Sequence, residues 1–292
     1  MRRPVHGFGL PPFSIAALCL SLTVVLNGAE PKIVTPEYNK MTDADEVALG
    51  KEAARQIEAH QKLQFITSAR VVDYVNRVTQ KVAAQSRRPQ LTYTAKVVDS
   101  TVVNAFALPG GLIYVERGLI ERVSSEAELV AVLAHEVGHV VGRHGANNIS
   151  RYLSANSLLR EFMSRIVGNE WPAQLVQTVG GPVAFLTLMK YSRTDELQAD
   201  LLGYYNMQRA GWSVDGMVTL FEQFEKDAPP SSLDSLLSIV GSHPSPSDRK
   251  AQVLEENRIS SPKPALTRNS DEFMAIQAEV RKLPRRSPSP AR

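Results

Sequence analysis

Residues 125–141, SEAELVAVLAHEVGHVV, carry the strongest structural signal in this chain of 292 residues. Ser125 is followed three positions later by Glu128, a capping box that predicts the start of a helix at Ser125. The apolar run behind it is long enough for the helix to extend past Val141. We therefore predict one long central helix, which carries both histidines of the stretch.

The two histidines on this helix are spaced for a metal ion. His135 and His139 are four residues apart, which places their side chains one turn apart and about 40° apart around the axis. Two imidazoles so arranged can bind one tetrahedral ion, and Glu136 projects into the same cleft, where it can take a proton from a metal-bound water. The pattern predicts one catalytic Zn²⁺ per chain. The alternative is a pair of ordinary helix histidines, which the capped helix disfavours.

A third ligand is needed, because catalytic zinc usually has three from the protein. His144 is one residue short of the metzincin spacing and would point away from His135 on a continuing helix, so we expect a helix-end or surface residue there. Glu196 and Asp200 share one face of a later predicted helix. Glu196 would bind the metal, and Asp200 would hydrogen-bond a ligand histidine or act near the leaving group. From spacing alone, a solvated acidic face explains this pair better.

The surrounding pattern predicts helices on both sides of a small sheet. Alternating, β-rich stretches favour three extended segments, with Pro109-Gly110-Gly111 as the turn between the last two. These segments are residues 91–98, 102–108 and 112–115. Further helices are predicted at residues 42–65, 69–85, 147–168, 182–210 and 270–282. The chain is therefore predicted to be a helix-dominated α+β domain, with a small β-sheet preceding the metal-binding helix.

The N-terminus predicts export. Arg2 and Arg3 precede an apolar run over residues 13–26, which is shorter than the roughly 20 residues that span a bilayer. Residues 1–29 are therefore interpreted as a signal peptide, with an uncleaved anchor as the alternative. We expect a protein of the periplasm or cell envelope that can associate with the membrane through this segment. Cys19 is the single cysteine, so the mature chain offers no thiol chemistry.

The overall charge argues against a nucleic-acid partner. The net charge is +3, and Arg2 and Arg3 account for most of it, so the body of the chain is close to neutral. The basic C-terminal segment is rich in Pro and Ser and reads as a solvated tail. The pattern does not indicate an oligomeric state.

Four ordered motifs resemble peptidase family M48, the gluzincin family of HtpX-like, BepA-like and CaaX-prenyl-protease enzymes. The motifs are residues 104–111 (NAFALPGG), His135–His139, Glu196–Asp200 (ELQAD), and His243-Pro244 followed by Arg249. The resemblance implies a zincin-like (gluzincin) fold, Glu196 as the third zinc ligand and Asp200 as a supporting acid or proton donor. It also implies that His243 approaches the zinc, as an extra ligand that gates the site or as a group that steadies the oxyanion. Arg249 would orient an acid of the site or cap a helix.

The chain departs from some members of that family. It lacks the several spanning helices of the membrane-embedded members and the tetratricopeptide repeats of BepA-like members, so it resembles a minimal periplasmic member. The expected organisation is a signal peptide (1–29), a linker (30–41), a zinc metallopeptidase domain (42–258), a C-terminal extension with a terminal helix (259–283) and a disordered tail (284–292).

The substrate is expected to be a polypeptide bound in extended form. Asn104, Ala105, Phe106 and Ala107 would form an edge strand beside the cleft, to which a peptide could add through backbone hydrogen bonds. A plain structural hairpin explains the same residues equally well. One of the two helices predicted at 147–168 and 228–240 could cover the cleft as a lid.

The function expected from these features is zinc-dependent endopeptidase action on misfolded or unfolded proteins of the cell envelope. One rival is a zinc-bound envelope chaperone or assembly factor in which proteolysis is secondary, which the intact Glu136 disfavours. The other is a zinc hydrolase that acts on non-peptide bonds.

Overall fold

The computed structural model of the chain describes residue 33 and residues 36–156, 161, 170–227, 246–260 and 266–285. Its elements are, in order, α1 (Asp43–Gln61), α2 (Ala69–Ala83), β1 (Thr94–Val98), β2 (Ala105–Leu108), β3 (Leu112–Glu116), α3 (Arg117–Arg122), α4 (Glu126–Val141), α5 (His144–Ala155), α6 (Trp171–Thr178), α7 (Gly181–Thr187), α8 (Arg193–Arg209), α9 (Asp215–Asp227), α10 (Pro246–Ile259) and α11 (Asp271–Lys282). The predicted helix-dominated α+β class is confirmed.

Side-chain caps set the starts of the main helices. The Thr42 hydroxyl accepts the backbone N–H of Asp45, and the Asp45 carboxylate accepts that of Thr42, which fixes the first turn of α1. Ser125 caps α4 by accepting the N–H of Glu128 at 3.4 Å. The predicted reciprocal bond is absent, because the Glu128 carboxylate accepts the N–H of Ser124 instead, at 2.6 Å. The helix therefore begins as predicted, with half of the expected capping box.

The three strands form one sheet in the order β1-β3-β2, with β3 parallel to β1 and antiparallel to β2. The hairpin between β2 and β3 turns at Gly110 and Gly111, whose φ angles of 84° and 104° are left-handed, as the Pro-Gly-Gly signal predicts. Gly110 also touches α1, since a Cβ there would lie 2.5 Å from the Cα of Val47. Among the described residues, β2 is an edge strand.

The sheet separates two hydrophobic clusters. Its inner face, including Ile113 and Val115, packs in the larger cluster with α2, α4, α8, α9 and α11. Its outer face, including Leu108 and Tyr114, packs in the smaller cluster with α1, α5, α6 and α7. Every residue of α4 is buried, because this helix lies between the sheet and α8. The helix that carries the histidine pair is thus the best-enclosed element of the fold.

One predicted helix is wrong. Residues 182–210 were expected to form a single helix, but the structure has α7 and α8, separated by residues 188–192. No Gly or Pro marks this break. Met189 and Tyr191 instead turn inward and are buried at 8% and 9% exposure, and Ser192 starts α8 with a capping box to Asp195. Tertiary packing here outweighs the local helical preference.

Several predicted features lie outside the described residues. They are the signal segment, the helix at 228–240, His243 and most of the C-terminal tail, and α5 accounts for only the first part of the predicted helix at 147–168. In the described part of the chain, none of the helices is both long and apolar enough to span a bilayer.

Candidate metal centre

The candidate site forms where α4 and α8 pack closely against each other. Gly138 faces Ala199, and a Cβ at Gly138 would lie only 2.5 Å from the Ala199 carbonyl oxygen. One turn further along, Gly203 faces Ala134, and a Cβ at Gly203 would lie 3.0 Å from the backbone of Ala134. Small residues at both crossing points let the two backbones approach, and the functional side chains of the two helices meet between them.

His135, His139 and Glu196 converge at this crossing. The Nε2 atoms of His135 and His139 are 2.9 Å apart, and each lies 3.5 Å from a Glu196 carboxylate oxygen. Two ligands bound to tetrahedral zinc at about 2.0–2.1 Å lie roughly 3.3 Å apart, so these separations fit the edges of a zinc tetrahedron. All three side chains are buried, and their donor atoms lie within 4.8 Å of one another. Two imidazole nitrogens and a carboxylate are a donor set that suits zinc.

Asp200 and Arg249 support the His135 side of this cluster. The Asp200 Oδ1 lies 2.8 Å from Nδ1 of His135, and the Arg249 Nε donates to Asp200 Oδ2 at 2.6 Å. Arg249 Nη1 also lies 3.1 Å from Glu196 Oε2, so one guanidinium bridges both acids of α8. Of the two roles expected for Arg249, orienting an acid of the site or capping a helix, the structure favours the first, because Arg249 pairs with Asp200 and Glu196.

The charges in this cluster shift the pKa values of Asp200 and His135. Burial raises the pKa of Asp200, but the Arg249 charge and the hydrogen bonds from Arg249 and His135 outweigh it and hold the pKa below its usual value. Burial and Arg249 lower the pKa of His135, but Asp200 and Glu196 outweigh them and raise it to about 9. The carboxylates thus favour a positive charge beside His135, which a bound cation would supply while the imidazole itself stays neutral.

His144 supports the other histidine. Of the two expected placements, the helix end is confirmed, because His144 stands at the first position of α5, whereas the surface placement is wrong, because the side chain is only 1% exposed. Its Nδ1 atom lies 2.9 Å from Nδ1 of His139. The physical reason is that α4 ends at Val141. Arg143 adopts a left-handed conformation with φ of 59°, which turns the chain so that His144 folds back over the end of α4.

A hydrogen-bonded chain through His144 selects the tautomer of His139. The Gln198 amide oxygen lies 2.8 Å from His144 Nε2 and accepts its proton. Burial lowers the pKa of His144, so the ring is neutral and its Nδ1 accepts from Nδ1–H of His139. His139 Nε2, which faces Glu196, is then the lone-pair nitrogen that a metal requires.

Tyr191 is a site residue that the sequence did not indicate. Its ring stacks on that of His139, with centroids 3.9 Å apart and planes inclined by 19°. It lies in the break between α7 and α8, which the sequence presented as continuous helix. A single tyrosine in an apolar helical stretch carries no signal that would single it out.

Glu136 borders a groove that follows β2. The groove has a volume of about 340 Å³, and Asn104, Phe106 and Ala107 line it together with Glu136. Ala105 is fully buried and faces the protein interior. Glu136 itself is only 1% exposed. The structure thus places three of the four predicted strand residues in the same groove as the predicted base.

Comparison with known proteins gives the family. The model of peptidase family M48 matches residues 70–257. The chain is 31% identical over 183 residues to the mitochondrial metalloendopeptidase OMA1 of Schizosaccharomyces pombe. This match covers 63% of this chain and 52% of that protein. It is 23% identical over 254 residues to the beta-barrel assembly-enhancing protease of Escherichia coli, covering 86% of this chain and 51% of the relative. The chain spans about half the length of these relatives. The resemblance seen in the sequence is confirmed, and the chain belongs to peptidase family M48.

Proposed function

We propose that this chain is a zinc-dependent endopeptidase. The observation that carries the proposal is the fit of His135, His139 and Glu196 to three corners of a zinc tetrahedron, beside a groove that also holds Glu136. These three side chains would hold one zinc ion. When bound, zinc lowers the pKa of a coordinated water to about 7 and polarises the scissile carbonyl.

The remaining residues have separate roles in this proposal. Glu136 accepts a proton from the attacking water and delivers it to the leaving amine. Asp200 orients His135 and fixes its tautomer, since its carboxylate accepts the Nδ1 proton, and Arg249 balances the charge of Asp200 and Glu196. His243, which lies outside the described residues, stays a prediction as a group near the oxyanion or as an extra ligand.

We propose that the substrate binds as an extended strand beside β2. The N–H of Glu116 donates to the carbonyl of Asn104 at 3.0 Å, so residues 104 and 106 bond toward β3. Residue pairs of an antiparallel ladder alternate between hydrogen-bonded and non-hydrogen-bonded, so the backbone groups of Ala105 and Ala107 point away from β3, toward the outer edge of β2. Ala105 is fully buried and Ala107 is 4% exposed, so the side chains that cover this edge would have to move aside for a peptide to pair there. A peptide pairing there is recognised through its backbone, which suits unfolded polypeptides of many sequences.

The cellular role proposed is quality control of cell-envelope proteins. The basic and apolar N-terminal segment supports export to the periplasm or envelope, and the same segment, if it is not cleaved, would attach the protein to the membrane. The matching relative in Escherichia coli carries a name that refers to β-barrel assembly, which agrees with an envelope substrate.

The test is zinc content and proteolysis of unfolded casein by the wild type, Glu136→Gln and Glu196→Ala. We expect Glu136→Gln to keep its zinc and to lose about 10²- to 10⁴-fold in cleavage rate, because the proton acceptor is removed. Glu196→Ala should bind zinc much more weakly. Glu222→Gln, an exposed position on α9, is the matched control and should cleave as the wild type does.

Two results would contradict this function. One is full zinc occupancy in Glu196→Ala, which would remove the third ligand. The other is casein cleavage by Glu136→Gln at the wild-type rate, which would exclude Glu136 as the base. A wild-type protein that binds zinc and prevents aggregation of unfolded chains without cleaving them would favour the rival chaperone function.

A further inference from the structure

A second carboxyl group, that of Glu116, lines the groove that contains Glu136. Glu116 is the last residue of β3, and strand alternation puts its side chain on the sheet face that also carries Tyr114. Around it the groove is lined by Ser100, Val102 and Phe106. No role in the proposed chemistry uses this carboxyl group.

The environment of Glu116 is unusually poor in partners for an acid. Its Oε2 atom is inaccessible to solvent and has no hydrogen-bond partner among the described residues. Burial raises the pKa of this carboxyl to about 7, opposed only by a hydrogen bond with Ser100. The other charged side chains in the groove are Glu136 and Lys190, and Lys190 is exposed and screened by water. A buried carboxyl without a cation is costly, and the groove leaves room for a cation to be supplied from outside the chain.

We propose that Glu116 forms a subsite for a lysine or arginine side chain of the extended substrate. This inference rests on the proposed endopeptidase function and adds a preference to it. The backbone pairing along β2 would then be joined by one ion pair that depends on the substrate sequence.

The sheet geometry favours long basic side chains in this subsite. Neighbouring strands lie about 4.8 Å apart, so a peptide paired with β2 lies roughly 10 Å from β3, which carries Glu116. Only a side chain as long as that of Lys or Arg bridges two strand spacings with its charged end. Its aliphatic stem would lie along the apolar side chains of Val102 and Phe106, as basic residues commonly do.

The subsite should also depend on pH. Below about pH 7 an unoccupied Glu116 holds a proton and offers no charge, whereas above it the carboxylate attracts a cation. The preference for Lys or Arg should therefore rise between pH 6 and pH 8. The preference is measured as the ratio of the cleavage rates of two peptides by the same enzyme. Groups that act equally on both peptides, including Glu136, change both rates by the same factor, so their titration does not change the ratio.

The test uses reduced, carboxymethylated casein digested by the wild-type holoenzyme, with the products sequenced to find the substrate position at which Lys and Arg are enriched. Two peptides that differ only as Lys or Gln at that position are then compared by kcat/KM. We expect the Lys peptide to be favoured roughly tenfold at pH 8, since a hydrogen bond to a partly buried charge has about that effect. The ratio should fall toward one at pH 6.

Three variants isolate Glu116. The ratio should approach one at all pH values in Glu116→Gln and should stay intermediate in Glu116→Asp, which keeps the charge on a shorter stem. Asp73→Asn removes one exposed charge on α2, outside the groove, and should keep the wild-type ratio. Cleavage of casein with no enrichment of basic residues, or an unchanged ratio in folded Glu116→Gln, would overturn the subsite alone. Failure of the wild-type holoenzyme to cleave casein at all would overturn the proposed function and the subsite with it.

Discussion

At the scale of single residues, His144 is the side chain whose removal best tests the support of the metal centre. His144→Leu deletes the acceptor for Nδ1–H of His139, so the tautomer that points a lone pair at Glu196 is no longer selected. We expect zinc affinity to fall about 10- to 100-fold, the usual effect of losing a group that orients a metal ligand. Competition with a chromophoric chelator measures it.

The control for this change is His144→Asn, whose amide oxygen can take the place of Nδ1 as acceptor. It should recover most of the affinity, and the absorption spectrum of the cobalt-substituted protein should return toward that of the wild type. Equal zinc affinity in His144→Leu and in the wild type would show that the chain through Gln198 does not orient His139.

Some residues of the metal centre could be predicted from the sequence and others could not. His135 and His139 follow from one fixed helical spacing, and that kind of local geometry can be read directly. Glu196 needed either the family resemblance or the structure, because nothing local distinguishes a ligand carboxylate from a solvated one. His144 was misplaced because its direction depends on a left-handed turn at Arg143, a residue type that rarely adopts one.

At the scale of elements, the close approach of α4 and α8 is expected to depend on Gly138. Gly138→Ala would place a Cβ 2.5 Å from the Ala199 carbonyl, and backbone atoms cannot move aside cheaply. Overpacking of this kind costs about 1–3 kcal/mol, and the better helix propensity of alanine returns up to about 1 kcal/mol. We expect a net loss in the free energy of unfolding, measured with urea, together with weaker zinc binding as Glu196 is displaced.

Gly145→Ala is a matched control within α5. Its Cβ would approach the Met189 sulfur at 3.1 Å and the Pro109 ring at 3.2 Å, both longer than the 2.5 Å contact at Gly138. We expect it to be less destabilising than Gly138→Ala. If Gly138→Ala were as stable as Gly145→Ala and kept full zinc affinity, the close contact would not hold the two helices in place.

The elements themselves were mostly predictable where caps and turns mark them. Thr42, Ser125 and Ser270 each begin a helix at the predicted position. The break between α7 and α8 could not be found in this way, because Met189 and Tyr191 leave the helix to fill space beside His139 and the smaller cluster. The energy that decides this break is that of packing between distant segments.

At the scale of the whole molecule, the fold extends beyond the residues that match the family model. The matched range 70–257 omits α1 and α11, yet Phe273, Ile276 and Val280 of α11 lie in the larger cluster. Glu46 of α1 is buried and pairs with Arg88 at 3.0 Å and with Arg143 at 2.6 Å. Loss of one partner of a buried pair costs about 3–5 kcal/mol, and here two arginines lose the same acid.

We therefore expect a fragment of residues 70–257 to lack cooperative unfolding, whereas residues 30–292 should unfold in one urea transition. Near-ultraviolet circular dichroism should show fixed aromatic packing in the longer chain alone. A fragment with a sharp transition at the same urea concentration would mean that α1 and α11 are dispensable.

The general class of the fold could be predicted from the order of helical and extended stretches, but the division into two clusters could not. That division depends on which face of the sheet each distant helix covers. Both faces of β3 are apolar in sequence until Glu116, so the pattern of this strand does not distinguish them.

The recessed position of β2 has a consequence for what can reach it. Besides the residues of the strand, the apolar side chains of Leu63, Val102, Leu186 and Met189 line the groove. A strand inside a native protein is already paired with its own neighbours, whereas a lone extended segment has both backbone edges free to pair with β2. Pairing with β2 would therefore exclude correctly folded proteins. A protein would become a substrate once it exposes an unfolded segment.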